Sequence, residues 1–244
     1  RERLTEMREE QRATKQTPKY DRACLALGQD EVTKRLADGE AHVIRMKVPE
    51  GQTVFEDVVR GTVSVNNSDL DDQVLMKSDG FPTYHMAVVV DDNLMAISHV
   101  LRGEEWIPST PKHVILMNML GFDVPTFAHV PLLLNADKTK LSKRQGDVAV
   151  EDYLEKGYLP AALINFVGTL GFNPTGDREV YTLQELIDMF DLSKVKKSGA
   201  VMNIEKLDWM NQQYLKELGL DEVAEAARPF VEVDVDDPMI MRAL

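Results

Sequence analysis

Seven residues carry most of the chemical promise of this chain. Lys138-Thr139-Lys140-Leu141-Ser142-Lys143-Arg144 place four cations in one short segment that follows an apolar stretch and leads into Gln145-Gly146. Two readings are open. The run is a solvated charged loop, or it is a clamp whose ammonium groups follow the negative charge moving onto pyrophosphate when the α-phosphorus of a nucleoside triphosphate is attacked. The second chemistry needs no protein nucleophile, and the rest of the chain offers none. The five His stand apart at 42, 85, 99, 113 and 129, with no H-E-x-x-H, no G-x-S-x-G and no local Cys-His pairing. P-loop and dinucleotide-binding glycine patterns are absent as well, so a bound triphosphate would be held by another geometry.

The elements needed to position such a loop can be read around it. Ala128–Leu134 reads as a buried strand running into the loop. Thr110–Leu120 reads as an amphipathic helix opening with Pro111 and closing at Gly121, and Ile97–Leu101 as a short strand before it. Ala87-Val88-Val89-Val90, stopped by Asp91-Asp92-Asn93, reads as a strand covered on both faces followed by a turn. Strand, helix, strand predicts a doubly wound α/β piece with a parallel sheet.

Upstream, a helix from the N-terminus should end at Thr17-Pro18, and a second over Asp30–Asp38 should end at Gly39. Short β runs at His42–Val48, Gly61–Val65 and Gln73–Lys77 complete a small α+β unit. Downstream of Glu151 the pattern is helical: Pro160–Leu170 ends at Gly171, and Thr182-Leu183-Gln184-Glu185 forms a capping box. The expected division is 1–80 (α+β), 81–150 (α/β, with the basic loop) and 151–244 (helical).

With 43% hydrophobic and 28% charged residues among 244, the chain is a folded globular protein rather than a disordered one. Its longest apolar run, Met86–Val90, is far too short to cross a bilayer, so no membrane is expected. A single cysteine, Cys24, excludes an internal disulfide and any multi-cysteine zinc site, fits a reducing compartment, and is expected to be a small buried side chain. The net charge of −13 argues at long range against a polyanionic partner. Basic patches nevertheless survive: Arg1–Tyr20 has six basic against four acidic side chains, whereas Leu220–Asp237 has seven acids and one Arg. The chain opens at Arg1 and its acidic, Val-alternating tail stops inside an apparent element, which reads as a piece of a longer protein.

Asp79-Gly80-Phe81-Pro82-Thr83-Tyr84-His85, Val88-Val89-Val90-Asp91-Asp92, His99-Val100-Leu101-Arg102-Gly103-Glu104-Glu105-Trp106, Ser109-Thr110-Pro111 and Lys140-Leu141-Ser142-Lys143-Arg144 occur in one order. In that order and spacing the chain resembles bacterial-type glutamyl-tRNA synthetases, class I aminoacyl-tRNA synthetases, from about Glu6 to about Leu218. Each motif alone is weak; the ordered set is specific. Lys140–Arg144 matches the family's second signature, K-M-S-K-S, in a K-L-S-K-R form. The first signature, H-I-G-H or a close variant, has no counterpart in these residues, nor does the anticodon-binding region.

The resemblance implies an enzyme that activates L-glutamate with ATP and Mg²⁺ to glutamyl-adenylate and transfers it to the 3′ end of tRNA(Glu), with a cytoplasmic location and a monomeric state. It implies that 1–80 is the acceptor-end insertion, 81–150 the later half of a Rossmann-type catalytic domain and 151–244 a helical stem-contact region. By it, Lys143 stabilises the triphosphate in the transition state and Lys140 and Ser142 shape the loop. Leu132 and Leu133 present backbone to adenine, Tyr84 and Arg102 read the amino acid, and Glu105 and Trp106 line the substrate cleft. Lys194, Lys196 and Lys197 belong to the tRNA footprint, and no zinc is expected. A guanidinium facing a carboxylate is also what physics asks for if glutamate is to be told from neutral glutamine. Against this stand plain alternatives: Tyr84 as an aromatic at a strand entrance, Arg102 paired with Glu104, Glu105 or Asp92, Trp106 as a packing anchor. Two rival functions are a non-catalytic module gripping a tRNA acceptor arm, and a short paralogue glutamylating a modified tRNA base. Leu141 before Ser142 disfavours a glutaminyl enzyme.

Overall fold

The structure is a computed structural model and describes residues 2–141 and 149–231. In chain order its elements are α1 (Glu2–Ala13), α2 (Gln29–Ala37), β1 (Ile44–Arg45), β2 (Gln52–Asp57), β3 (Gly61–Asn66), β4 (Val74–Met76), α3 (Tyr84–Leu94), β5 (His99–Gly103), α4 (Thr110–Leu120), β6 (Thr126–Val130), β7 (Leu133–Leu134), α5 (Val150–Glu155), α6 (Pro160–Leu170), α7 (Leu183–Met189), β8 (Ala200–Val201), α8 (Ile204–Glu217) and α9 (Leu220–Ala227). They fall into two compact units. One is the described chain up to Leu101 with Trp106–Ala128; the other is Arg102–Glu105 with the described chain from His129 onward.

In the first unit, β2 and β3 form an antiparallel hairpin, β2 pairs in parallel with β6 at Asp57 and Phe127, and the sheet order is β3-β2-β6-β5. The expected α/β class and parallel pairing are therefore present. Helix α4 has the bounds expected from Pro111 and Gly121, and Gly121 ends it in the left-handed conformation (φ 71°), which glycine adopts without a Cβ clash. Val114, Ile115, Leu116 and Met117 of α4 are all buried, along with Thr110 and His113. Ile115, Leu116 and Met117 join Met46, Val48, Leu70 and Val89 in one core, while Val114 joins Phe55 and Phe127, whose rings meet edge to face at 5.7 Å.

Two expectations fail here, and one strand was not anticipated. The run Ala87–Val90 lies inside helix α3, and Asp91-Asp92 continue that helix. Four consecutive β-branched or small apolar residues carry strand propensity, yet packing decides: only Val89 is buried, and the helix is started by the Thr83 carbonyl, which accepts from Met86 and Ala87 N–H. Strand β2 had no hydropathic signal, because its inward face is Thr53, Phe55 and Asp57 while Val54 points out. Those polar side chains are satisfied: Thr53 Oγ1 donates to Asn67 Oδ1 at 2.6 Å, and Asp57 Oδ1 accepts from Val59 and Arg60 N–H. Cys24 is exposed, not buried, in a short 3-10 turn that buries none of its residues.

In the second unit, the expected strand 128–134 is split at Pro131 into the end of β6 and the two-residue β7. Strand β7 pairs in parallel with β8, Leu133 opposite Ala200 and Leu134 opposite Val201. Helix α6 packs Leu163 and Phe166 with Leu207 and Met210 of α8, and with Tyr153 of α5. Within that core Asn165, 1% exposed, accepts from Tyr181 N–H and from Tyr214 Oη–H, and donates to the Glu179 carbonyl.

The capping box of α7 forms as read. Thr182 Oγ1 accepts from Glu185 N–H at 3.2 Å, and Thr182 N–H donates to Glu185 Oε2 at 2.8 Å. Arg178 grips the same carboxylate with both terminal nitrogens, at 2.6 and 2.9 Å. The Arg178 guanidinium first, then the Thr182 N–H, hold the Glu185 carboxyl down at about 2. A carboxyl depressed on folding stabilises above its unfolded value near 4.5 and loses that contribution as pH falls to about 2. The urea midpoint of the wild type should therefore fall more steeply than that of Glu185→Gln across this window; parallel profiles would show that the pair contributes nothing.

Candidate active site

Tyr84 opens α3, and Trp106 sits in the 3-10 turn Glu104–Ser109 that leads into α4. Both lie in the first unit, with ring centroids 5.2 Å apart and tilted. His85 and the buried His113 continue the cluster, His85 Nδ1 meeting His113 Nε2 at 2.8 Å. Tyr84 is half exposed at 53%, so the cluster has one wet aromatic face on a buried base.

Arg102-Gly103-Glu104-Glu105 belongs to the second unit, and each of its three charged side chains engages a different station of the segment that runs to the basic loop. Arg102 Nε–H donates to His129 Nε2 at 3.1 Å. Glu104 Oε1 accepts from the Leu132 N–H at 3.3 Å. Glu105 Oε1 meets Lys140 Nζ at 3.1 Å. Gly103 makes this possible, since a Cβ there would lie 2.0 Å from the Glu105 carboxylate. The Glu105 carboxyl is held below its ordinary value, first by a hydrogen bond from its own main-chain N–H and then by Lys140, against the opposing effect of burial.

The loop's root is a small ladder. Leu141 N–H donates to the Leu133 carbonyl and Asn135 N–H to the Thr139 carbonyl, with Leu134 opposite Lys140. Leu132 is used on both sides of its main chain: its N–H goes to Glu104, and its carbonyl accepts from Ala200 N–H. Adenine contact through the Leu132 N–H would thus require exchange with Glu104, whereas the Leu133 side chain is 39% exposed. Ser142, Lys143 and Arg144 lie outside the described residues. Lys194, Lys196 and Lys197 are all exposed, in and just after a 3-10 turn, and Lys194 pairs with Asp191 at 3.6 Å.

None of the internal partners expected for Arg102 is the one seen at its Nε. The residue missed was His129, fully buried and 27 positions downstream. Its only sequence signal was position, as a polar residue inside an apolar strand, where a buried imidazole needs a partner. Glu104 was likewise missed as the anchor of Leu132. Among the described residues no group of three or more His, Cys, Asp or Glu side chains is placed to hold a metal ion, and no helix is long and apolar enough to cross a membrane.

The family described as "tRNA synthetases class I (E and Q), catalytic domain" matches residues 1–209, and the chain belongs to it. More particularly, a glutamate–tRNA ligase of Alkaliphilus metalliredigens is 50% identical over 232 residues, covering 95% of this chain and 47% of its own length. Its counterpart in Clostridioides difficile is 52% identical over 235 residues, covering 96% and 48%. The chain thus spans about half the length of the curated relatives it matches. A crystal structure of a glutamate tRNA ligase from Elizabethkingia meningosepticum, in complex with its amino acid, superposes with a TM-score of 0.86 at 38% identity, covering 99% of this chain and 54% of that one.

Proposed function

We propose that the polypeptide carrying these residues is a glutamate–tRNA ligase: it activates L-glutamate with ATP to glutamyl-adenylate and transfers glutamate to the 3′ end of tRNA(Glu). The observation that supports this best is Arg102, a guanidinium fixed beside the segment that leads to the basic loop. A guanidinium presents a planar fork to a carboxylate and repels nothing in it, whereas a neutral amide returns only half of those bonds. In this reading Arg102 and Tyr84 read the amino acid, and Glu105 and Trp106 line the substrate cleft. Leu132 and Leu133 face adenine, and Lys140, Ser142 and Lys143 engage the triphosphate, with Lys143 acting on the transition state.

Residues 1–80 serve as the acceptor-end insertion, 81–150 as the later half of the catalytic domain and 151–244 as the stem-contact region, where Lys194, Lys196 and Lys197 meet tRNA phosphates. Mg²⁺ enters as the counter-ion of ATP, and no residue of this chain is assigned to it. The protein acts in the cytoplasm as a monomer.

The test is glutamate-dependent exchange of pyrophosphate into ATP. Arg102→Ala should raise the glutamate KM by about tenfold or more, or reduce discrimination against glutamine by a similar factor, because a charge-assisted contact is lost. Wild-type values for both would return Arg102 to a structural role.

A further inference from the structure

We propose that His129 is the positioning residue that sets the orientation of the Arg102 guanidinium for the side-chain carboxylate of the amino acid. The inference rests on the reading of Arg102 as the glutamate-binding residue. It begins with donor and acceptor chemistry. A guanidinium has five N–H donors and no acceptor, so the His129 Nε2 that lies 3.1 Å from Arg102 Nε must present a lone pair. That makes His129 a neutral imidazole with its proton on Nδ1. His129 is 0% exposed.

A long side chain with free torsions loses affinity to the ordering of its own rotamers. Here one bond is made in advance, and it is made at Nε, the atom about which the guanidinium plane turns. With Nε–H committed to His129, the plane in which the terminal nitrogens lie is set. His129 is itself held rigidly, because it lies in β6 next to the buried Phe127 and Ala128. A buried, neutral, strand-mounted acceptor is a way to aim a cation without neutralising it. A carboxylate in the same place would satisfy Arg102 and compete with the substrate for its charge.

Three substitutions separate this role from bulk packing. Glutamine places an acceptor oxygen near the position of Nε2, asparagine places one near Nδ1 and so falls short of Arg102, and phenylalanine fills the volume with no acceptor. In the polypeptide that carries these residues, His129→Asn and His129→Phe should each raise the glutamate KM about tenfold or more and lower discrimination against glutamine. The ATP KM and kcat should stay within about threefold, and His129→Gln should remain near wild type. Thermal midpoints identify a variant that fails to fold, and the Gln and Asn pair then decides alone.

Wild-type glutamate KM in His129→Asn and His129→Phe, alongside a raised KM in Arg102→Ala, overturns the positioning role and leaves the reading of Arg102 intact. Equal losses in Asn, Phe and Gln, or losses spread over the ATP KM and kcat, overturn it in favour of packing. An unchanged glutamate KM and unchanged discrimination in Arg102→Ala remove the reading itself, and the role of His129 with it.

Discussion

On the proposed function, Lys143→Ala is expected to slow glutamyl-adenylate formation by about 10²-fold or more while leaving the glutamate KM nearly unchanged. The asymmetry follows from when the charge appears. Before attack, the triphosphate already carries its negative charge; as the bond to the α-phosphorus breaks, additional charge collects on the leaving pyrophosphate. An ammonium placed for that moment lowers the barrier without tightening the ground state. A factor of 10² corresponds to about 2.7 kcal/mol, the size expected of one charged contact made only in the transition state. The neighbouring geometry supports a fixed loop root: Leu134 lies opposite Lys140, and Lys140 is held by Glu105 at 3.1 Å. Single-turnover adenylation with saturating glutamate and ATP is the measurement, and a rate near wild type removes Lys143 from the transition state.

The second large effect is on stability. Asn165→Ala should cost about 3–5 kcal/mol, read as the shift in the urea unfolding midpoint at constant slope. One amide serves three partners, the Tyr181 N–H, the Tyr214 hydroxyl and the Glu179 carbonyl, in a site where Asn165 is 1% exposed. Removing it leaves three polar groups short of a bond and opens a small void between α6 and the Tyr181 segment. Tyr214 retains its bond to the Tyr181 carbonyl, which keeps the estimate from rising further. A loss below about 1 kcal/mol would mean that water enters and takes over the bonds of the amide.

The elements that were legible in the sequence are those whose ends are written in backbone chemistry. Helix α4 could be bounded at both ends because Pro111 suits a first turn and Gly121 takes a positive φ. Helix α7 was legible because Thr182 and Glu185 satisfy each other's N–H groups over three residues. What escaped depends on partners far along the chain. Strand β2 turns Thr53 and Asp57 inward because Asn67 and the turn at Val59 supply their bonds, so hydropathy does not track burial along it. Helix α3 looked like a strand because four residues are too few to distinguish a period of 2 from one of 3.6. At the candidate site, Tyr84, Arg102, Glu105, Trp106 and Lys140 stood out by motif, but His129 and Glu104 did not. Their parts are set by contacts across 27 and 28 positions that no local pattern announces.

The parallel pairing of β7 with β8 has a consequence in time. Leu134 and Val201 lie side by side, but the ribosome makes them 67 positions apart. At about 5–20 residues per second, several seconds pass between the emergence of the segment leading to Lys140 and the arrival of its outer neighbour. Throughout that interval the nascent chain must keep Leu132, Leu133 and Leu134 from pairing elsewhere, and the bonds from Ala200 and Met202 that close this edge form last. A ribosome stalled before Ala200 would hold a chain with its basic loop encoded in full and its register still unset.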